Sequence, residues 1–303
     1  MRVSESTKKE LKIRFLELSG PMEPVPTETR AKLQKLKDIR FVIYDFYGTL
    51  FLSGVGDIGI DDGTSDAGLM NDALRGARIS VSTPKAGSRS LELYSSVVEA
   101  EIRNLKKEGI QTPEPDIRKI WKKVLNALSD EKLIQTPEDE EAALRISVEF
   151  EARMNPVWPV KGVETTLQNL KQQGYHQGII SNSQFYTPLV LEALTGKTVT
   201  ELGFDERLLH WSYKERMKKP DIDFYKRFLD ALIHAFPDAL PDQVLYIGND
   251  MLKDVWPASQ LGMKTALFAG DMRSLKWRLN DERCKNLEPD LVITTFQQLE
   301  EVL

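Results

Sequence analysis

The chain has 303 residues, more than one hydrophobic core usually serves, so its length predicts a large α/β core domain with a second, inserted unit. Its 41 Lys and Arg against 46 Asp and Glu give a net charge of −5, which argues against an extended nucleic-acid groove. Apolar residues make up 41%, no run approaches the roughly 20 apolar residues of a membrane span, and the charged N-terminus does not read as a signal peptide. The single cysteine, Cys284, cannot form an internal disulfide. We therefore expect a globular cytoplasmic protein with neither a nucleic-acid nor a membrane partner.

The first 37 residues predict an N-terminal helical arm with a packing role. KKELKIRFLEL is amphipathic, PMEPVP interrupts it, and TETRAKLQKL has helical spacing again. The pattern then changes to RFVIYD, Arg40 to Asp45, a short apolar run typical of a strand buried on both faces. Asp45 therefore stands at the carboxyl end of a first core strand.

Similar apolar runs recur along the chain and end at Ser181, Gly248, Phe268 and Thr294, with LLHW near Trp211 as a further candidate. Helical patterns of ten or more residues separate them. This alternation predicts an α/β fold with a Rossmann-like parallel sheet flanked by helices. Ligands of such sheets bind beyond the carboxyl ends of the strands.

A segment of about a hundred residues interrupts the alternation directly after the first strand. It opens with the Gly/Asp-rich SGVGDIGIDDGTSDAG, interpreted as a flexible hinge, and continues with helical patterns at Leu91–Lys107, Asp116–Leu128 and Glu138–Arg153. We interpret it as an inserted, mostly α-helical cap. The predicted organisation is a 1–37 arm, a core of 38–52 and 157–303, and a 53–156 cap.

Polar residues cluster after the predicted strands in four groups, and their order along the chain is more informative than any one group. The groups are Asp45 with Tyr47, Gly48 and Thr49; Ser181 with Asn182; Lys219 with Pro220; and Asp250 with Asp254 after Gly248.

In sequence these groups read YDFYGTLF, GIISNSQ, KKPDIDFY and YIGNDMLKDVWPASQLGM. In this order they resemble the four motifs of the haloacid dehalogenase superfamily of hydrolases, over the core from about Ile39 to the C-terminus. The cap enters where helical caps are inserted in that superfamily. The resemblance implies a hydrolase acting on a small anionic molecule.

The residue types fit nucleophilic chemistry on an anion. A carboxylate at a strand end, Asp45, can attack an electrophilic centre and form an aspartyl intermediate that water hydrolyses. Gly48 permits a sharp turn, and Thr49 can hydrogen-bond an acceptor there. Ser181, followed by Asn182, supplies a neutral donor. Lys219 places a positive charge against the substrate oxygens and the nucleophile.

The acidic loop predicts a Mg²⁺ site. Asp45, the backbone carbonyl of Tyr47 and Asp250 are oxygen ligands of the kind Mg²⁺ takes, and Asp254 is placed to orient them. The acidic position expected directly after the Gly is Asn249, so Asp250 becomes the candidate ligand. Alternatively, the Asn-Asp pair shapes a turn and Asp254 caps the next helix.

Tyr47 departs from the phosphatases of the superfamily, which carry an Asp there as the general acid and base. A tyrosine with a pKa of about 10 is a poor base near neutrality. The 2-haloacid dehalogenases carry Tyr at this place, but they need no metal and have an Asn where this chain has Met251. Arg89 and Arg103 are the candidates for their halide-binding arginine.

Three hypotheses follow. The first is a Mg²⁺-dependent phosphohydrolase of a small molecule with a good leaving group, such as an acyl or aryl phosphate. The second is a metal-independent 2-haloacid dehalogenase. The third is a weakly active or inactive regulatory protein that binds an anion. Substrate choice is expected to come from the cap.

Overall fold

The computed structural model describes residues 3–55, 66–136 and 141–303. In chain order its strands are β1 Phe41–Tyr44, β2 Phe51–Ser53, β3 Ser80–Val81, β4 Ile134–Gln135, β5 Val157–Pro159, β6 His176–Ser181, β7 Phe204–Trp211, β8 Val244–Gly248, β9 Lys264–Phe268 and β10 Leu291–Ile293.

The helices, in the same order, are α1 Glu5–Leu18, α2 Ala67–Gly76, α3 Lys85–Lys107, α4 Ile117–Asp130, α5 Ala142–Met154, α6 Val163–Gln172, α7 Thr187–Thr195, α8 Ser212–Glu215, α9 Ile222–Ala235, α10 Trp256–Gln260 and α11 Leu299–Val302. Short 3₁₀ turns lie at Pro241–Gln243 and Phe296–Gln298, and a π-helical turn at Met251–Val255 leads into α10. No helix in the described ranges is long and apolar enough to cross a membrane.

The core is a parallel sheet, as the alternating pattern predicts. Within the described ranges it has six strands in the order β10-β9-β8-β1-β6-β7, and each neighbouring pair is parallel. β1 lies in the middle and is buried along its whole length, because its apolar side chains point alternately to helices on both faces. The carboxyl ends of β1, β6 and β8 therefore meet at one edge, where they bring Asp45, Ser181 and the loop after Gly248 together.

The inserted segment is helical where it is described. In the chain, helices α2 to α5 come between β2 and β5. These two strands pair antiparallel and form the two connections between the inserted helices and the core. Helix α4 buries one face, including Trp121, whose ring lies 5.3 Å from that of Phe150 in α5. Much of the predicted hinge and the start of the third predicted cap helix fall in 56–65 and 137–140, outside the described residues.

Of the two helices predicted for the arm, the structure has the first. Helix α1 buries Leu11 and Phe15 against α5 and α7. The prediction of a second helix at TETRAKLQKL is wrong, because the structure has no helix in that segment. The backbone of Lys32 exchanges two hydrogen bonds with that of Val292, at 2.9 and 3.0 Å, so the open edge of β10 satisfies main-chain groups that a helix would pair internally.

Candidate active site

The centre of the site is a lysine held between two carboxylates. Nζ of Lys219 lies 2.6 Å from Oδ1 of Asp45 and 2.6 Å from Oδ1 of Asp254. All three residues are enclosed, with 3%, 6% and 1% of their surfaces exposed, respectively. A Cβ on Gly248 would lie 2.4 Å from Cβ of Asp254, so glycine at this strand end is what allows the carboxylate to reach the lysine.

Burial and charge act in opposite directions on these groups. Burial alone lowers the pKa of Lys219, but the carboxylates of Asp254 and Asp45 outweigh it, and the net pKa is above the ordinary value. Burial raises the pKa of Asp254, against the opposing effect of Lys219. The lysine is therefore a permanent cation beside Asp45 at neutral pH.

The turn after Asp45 packs against the acidic loop through uncharged groups. Gly48 has φ +80°, and a Cβ there would lie 2.7 Å from Cβ of Ser274. The hydroxyl of Thr49 donates to Oδ1 of Asn249 at 3.2 Å, and Nδ2 of Asn249 donates to the carbonyl of Ser274 at 2.7 Å. Asn249 is thus fixed as a neutral amide at the position where the superfamily pattern has an acid.

Tyr47 is buried and its hydroxyl lies 3.1 Å from that of Thr187 at the start of α7. Burial, then the charge of Glu151, raises the pKa of Tyr47 well above its ordinary value. The phenol therefore stays protonated at any physiological pH and cannot serve as a general base.

Ser181 is the last residue of β6, and Asn182 follows it, at the edge of the sheet where Asp45 lies. Oδ1 of Asn182 accepts from the backbone N of Lys219 at 2.8 Å, so this side chain positions the lysine. The hydroxyl of Ser181 lies 3.1 Å from the carbonyl of Asn182. The structure brings Asp45, Ser181, Asn182 and Lys219 to one place.

Asp250 contacts this group through its backbone N, which donates to Oδ2 of Asp254 at 2.9 Å, whereas its carboxylate is engaged by Arg278. Arg278 binds its carboxylate through Nε, 3.1 Å from each oxygen, and through Nη2 at 2.6 Å. Oδ1 of Asp250 also accepts from the backbone N–H groups of Leu252 and Lys253, so it caps the π-helical turn. The carboxylate thus has the turn-shaping role of the alternative reading.

These contacts bear on the predicted Mg²⁺ site. Among the described residues, no three His, Cys, Asp or Glu side chains are grouped as a metal site requires. Asp45 and Asp254 both bind Lys219, and Asp250 binds Arg278. The side chains present do not fit the predicted donor set, and we derive no step through a metal.

Two residues at the site, Tyr246 and Arg278, were not among those predicted from the sequence. The hydroxyl of Tyr246 in β8 lies 3.2 Å from Oδ1 of Asp254 and accepts from Nζ of Lys219 at 3.3 Å. A tyrosine in a strand buried on both faces needs a polar partner, and that was the available clue to it. Arg278 lies in an irregular segment, and no feature of the sequence indicated its place at the site.

The cap arginines proposed for halide binding lie elsewhere. Arg89 pairs with Glu131 at 2.7 Å and with Glu92 at 3.0 Å on the surface of the cap. Arg103 pairs with Glu99 at 3.4 Å on the same helix. Both make exposed ion pairs rather than contacts with the residues around Asp45.

Sequence comparison identifies the family. A model of the haloacid dehalogenase-like hydrolase family matches residues 102–268, more than half of the chain. The chain therefore belongs to this family of hydrolases. The match covers Ser181, Lys219 and the loop after Gly248, while Asp45 lies before it.

Individual relatives differ in chemistry. A glyceraldehyde 3-phosphate phosphatase of Pyrococcus furiosus is 30% identical over 146 residues, 48% of this chain and 54% of the relative, so the chain spans about half the length of that protein. The structure of a 2-haloacid dehalogenase from Pseudomonas syringae pv. Tomato, 21% identical, has a TM-score of 0.54 over 87% of this chain and 97% of that one. A protein described as a predicted phosphoglycolate phosphatase of Haemophilus somnus, 15% identical, gives 0.47 over 88% and 99%. At such identities the structural likeness concerns the fold.

Proposed function

We propose that the protein hydrolyses a small anionic phosphorylated molecule through an aspartyl phosphate on Asp45. The observation that carries this proposal is the contact of Lys219 with Asp45, which places a buried cation beside a carboxylate at the strand edge where α/β proteins bind ligands. The same cation attracts the phosphate group and stabilises the charge that develops during its transfer.

The reaction has two steps. A carboxylate oxygen of Asp45 attacks phosphorus, and the bond from phosphorus to the leaving oxygen breaks with its electron pair. Water then attacks the phosphorus of the aspartyl phosphate, inorganic phosphate leaves, and the carboxylate is restored. Asn182 keeps Lys219 in place throughout by accepting from its backbone N–H.

The leaving group must depart without a proton. Tyr47 stands where a general acid is expected, and its hydroxyl is engaged with Thr187. General acid–base catalysis is worth roughly 10²–10⁴ in rate, so alkyl phosphates should be poor substrates. Acyl and aryl phosphates, whose leaving groups are stable anions, are the class we propose. The partial similarity to a phosphatase supports a phosphorylated substrate.

A second candidate, 2-haloacid dehalogenation, has its own support. A departing halide needs no proton, which agrees with a buried tyrosine at position 47, and this chemistry requires no metal. In that case Asp45 attacks carbon and water cleaves the resulting ester.

The test is a screen of the purified protein against acyl, aryl and alkyl phosphates and 2-haloacids, each with Mg²⁺ and with EDTA. We expect turnover of acyl or aryl phosphates that exceeds turnover of alkyl phosphates. Release of halide alone would replace the proposal by the dehalogenase. Binding of phosphate without any turnover would support the third hypothesis, a regulatory anion-binding protein.

A further inference from the structure

The connection between α3 and α4 in the cap lies directly on the core segment that precedes Lys219. Pro113 and Met217 form an antiparallel bridge. On either side of it the backbone N of Lys218 donates to the carbonyl of Thr112 at 2.9 Å, and that of Glu114 donates to the carbonyl of Arg216 at 3.0 Å. The cap thereby pairs, through an isolated β-bridge, with the backbone that leads into the active-site lysine.

The side chain of Thr112 extends this contact to the other side of Lys219. Its hydroxyl donates to Oδ2 of Asp221 at 2.7 Å and lies 2.9 Å from the carbonyl of Lys218. Asp221 in turn caps α9 by accepting from the backbone N of Asp223 at 2.9 Å. One cap hydroxyl therefore contacts the residue before Lys219 and the second residue after it.

A second contact joins the same cap segment to the strand end that carries Ser181. Gln184, three residues further along, is buried, and its Oε1 accepts from the backbone N of Ile117 at the start of α4, at 3.0 Å. Its Nε2 donates to Oε1 of Glu114 and to the carbonyl of Pro115, each at 2.9 Å. The segment 112–117 thus contacts both loops that build the anion-binding site.

We propose that the cap segment 112–117 is a positioning element for Lys219, acting through Thr112 of the cap and Gln184 of the core. This inference rests on the proposed function of Lys219 as the cation of the site. Hydrogen bonds on both sides of a residue limit its movement, and displacements of an ångström at a reacting centre cost large factors in rate. These contacts therefore fix the distance from Nζ of Lys219 to the nucleophile.

The test is Thr112→Val, which removes the hydroxyl and keeps the shape, with Thr112→Ser as the conservative rescue. We expect kcat on the best aryl phosphate to fall on the order of 10-fold, with KM within about twofold. Thr112→Ser should restore kcat. Thr83→Val, just before α3, is the matched control and should leave kcat and KM unchanged.

A measurement that needs no substrate tests the positioning role independently of the proposed function. The amine of Lys219 is buried, so labelling by acetic anhydride, followed by peptide mass spectrometry, should be slow in the wild type. We expect it to become several-fold faster in Thr112→Val and in Gln184→Met, while global stability, followed by circular dichroism, changes little. Folded variants with unchanged labelling, or an unchanged kcat in Thr112→Val, would overturn the positioning role even if the protein proves to be a phosphohydrolase.

Discussion

Nζ of Lys219 lies 2.6 Å from Oδ1 of Asp45, and both groups are closed off from solvent. A buried carboxylate beside a buried cation at the carboxyl edge of a parallel sheet is costly to assemble, because each charge loses its hydration. The second carboxylate, that of Asp254, also lies 2.6 Å from Nζ of Lys219, and burial raises its pKa to about 7. Lys219 is thus the positive charge that lies beside Asp45.

Removal of that charge should stop the reaction. We expect Lys219→Ala to lower turnover by about 100-fold or more, because the cation facing the developing charge is lost. Since the change also leaves Asp45 and Asp254 buried without a counter-charge, stability should fall as well. Kinetics on folded protein, with urea unfolding in parallel, separate the two effects. The exposed Lys214→Ala is the control, and Lys219→Ala with wild-type kinetics would remove the lysine from the mechanism.

Tyr47 offers the sharpest distinction between the two proposed chemistries. Tyr47→Asp supplies a carboxyl group at the leaving-group side, so hydrolysis of alkyl phosphates should rise ~10-fold or more, with little gain on aryl phosphates. A dehalogenase should respond in the opposite way, because a new negative charge opposes the departing halide. The rates of the wild type and the variant on both substrate classes distinguish phosphate hydrolysis from dehalogenation. An unchanged rate on alkyl phosphates in a folded variant would contradict the missing-acid argument.

The metal requirement can be tested at Asn249. Because this residue is a neutral amide bound to Thr49, and Asp250 is bound by Arg278, we expect EDTA to leave turnover of the wild type unchanged. Asn249→Asp restores an acid beside Asp45 and should create measurable Mn²⁺ binding in a calorimetric titration. Loss of activity in EDTA with recovery in Mg²⁺ would show that the wild type holds a metal after all.

A buried histidine away from the site, His210, should contribute to the loss of stability of the fold in acid. Burial lowers the pKa of His210 to about 4, and its Nε2 lies 3.0 Å from the carbonyl of Phe224. An unfolded histidine titrates near 6.5, so the unfolded chain binds the proton first, and stability is lost as pH falls from about 6.5 toward 4. The loss amounts to about 3 kcal/mol for the full shift.

Urea unfolding at pH 7.5 and 4.5 measures this effect. His210→Gln should lose most of this pH-dependent part of the free energy of unfolding, whereas the exposed His234→Gln should behave as the wild type. An equal pH dependence in both variants would place the acid sensitivity elsewhere in the molecule.

Much of the sheet could be predicted from the sequence, because the spacing and composition of apolar residues within a short segment indicate a buried strand. RFVIYD and QVLYIG are apolar on both faces, and only a central parallel strand buries both, so the meeting of Asp45 with the loop after Gly248 follows from sequence. The orientation of the Asp250 side chain could not be predicted from the sequence. Asp250 caps the π-helical turn, and its carboxylate binds Arg278, a partner 28 residues away. TETRAKLQKL has helical spacing, but backbone pairing of Lys32 with Val292 overrode that propensity.

The central claim is that Asp45 becomes covalently modified during turnover. The direct measurement is a rapid acid quench during hydrolysis of the best aryl phosphate, followed by digestion and mass spectrometry of the peptide that contains Asp45. The account predicts a phosphoryl adduct on that peptide in the wild type, and no adduct and no turnover in Asp45→Asn, whose amide is nearly isosteric but not nucleophilic. Turnover at the wild-type rate in Asp45→Asn, with the Asp45 peptide unmodified in the wild type, would contradict it.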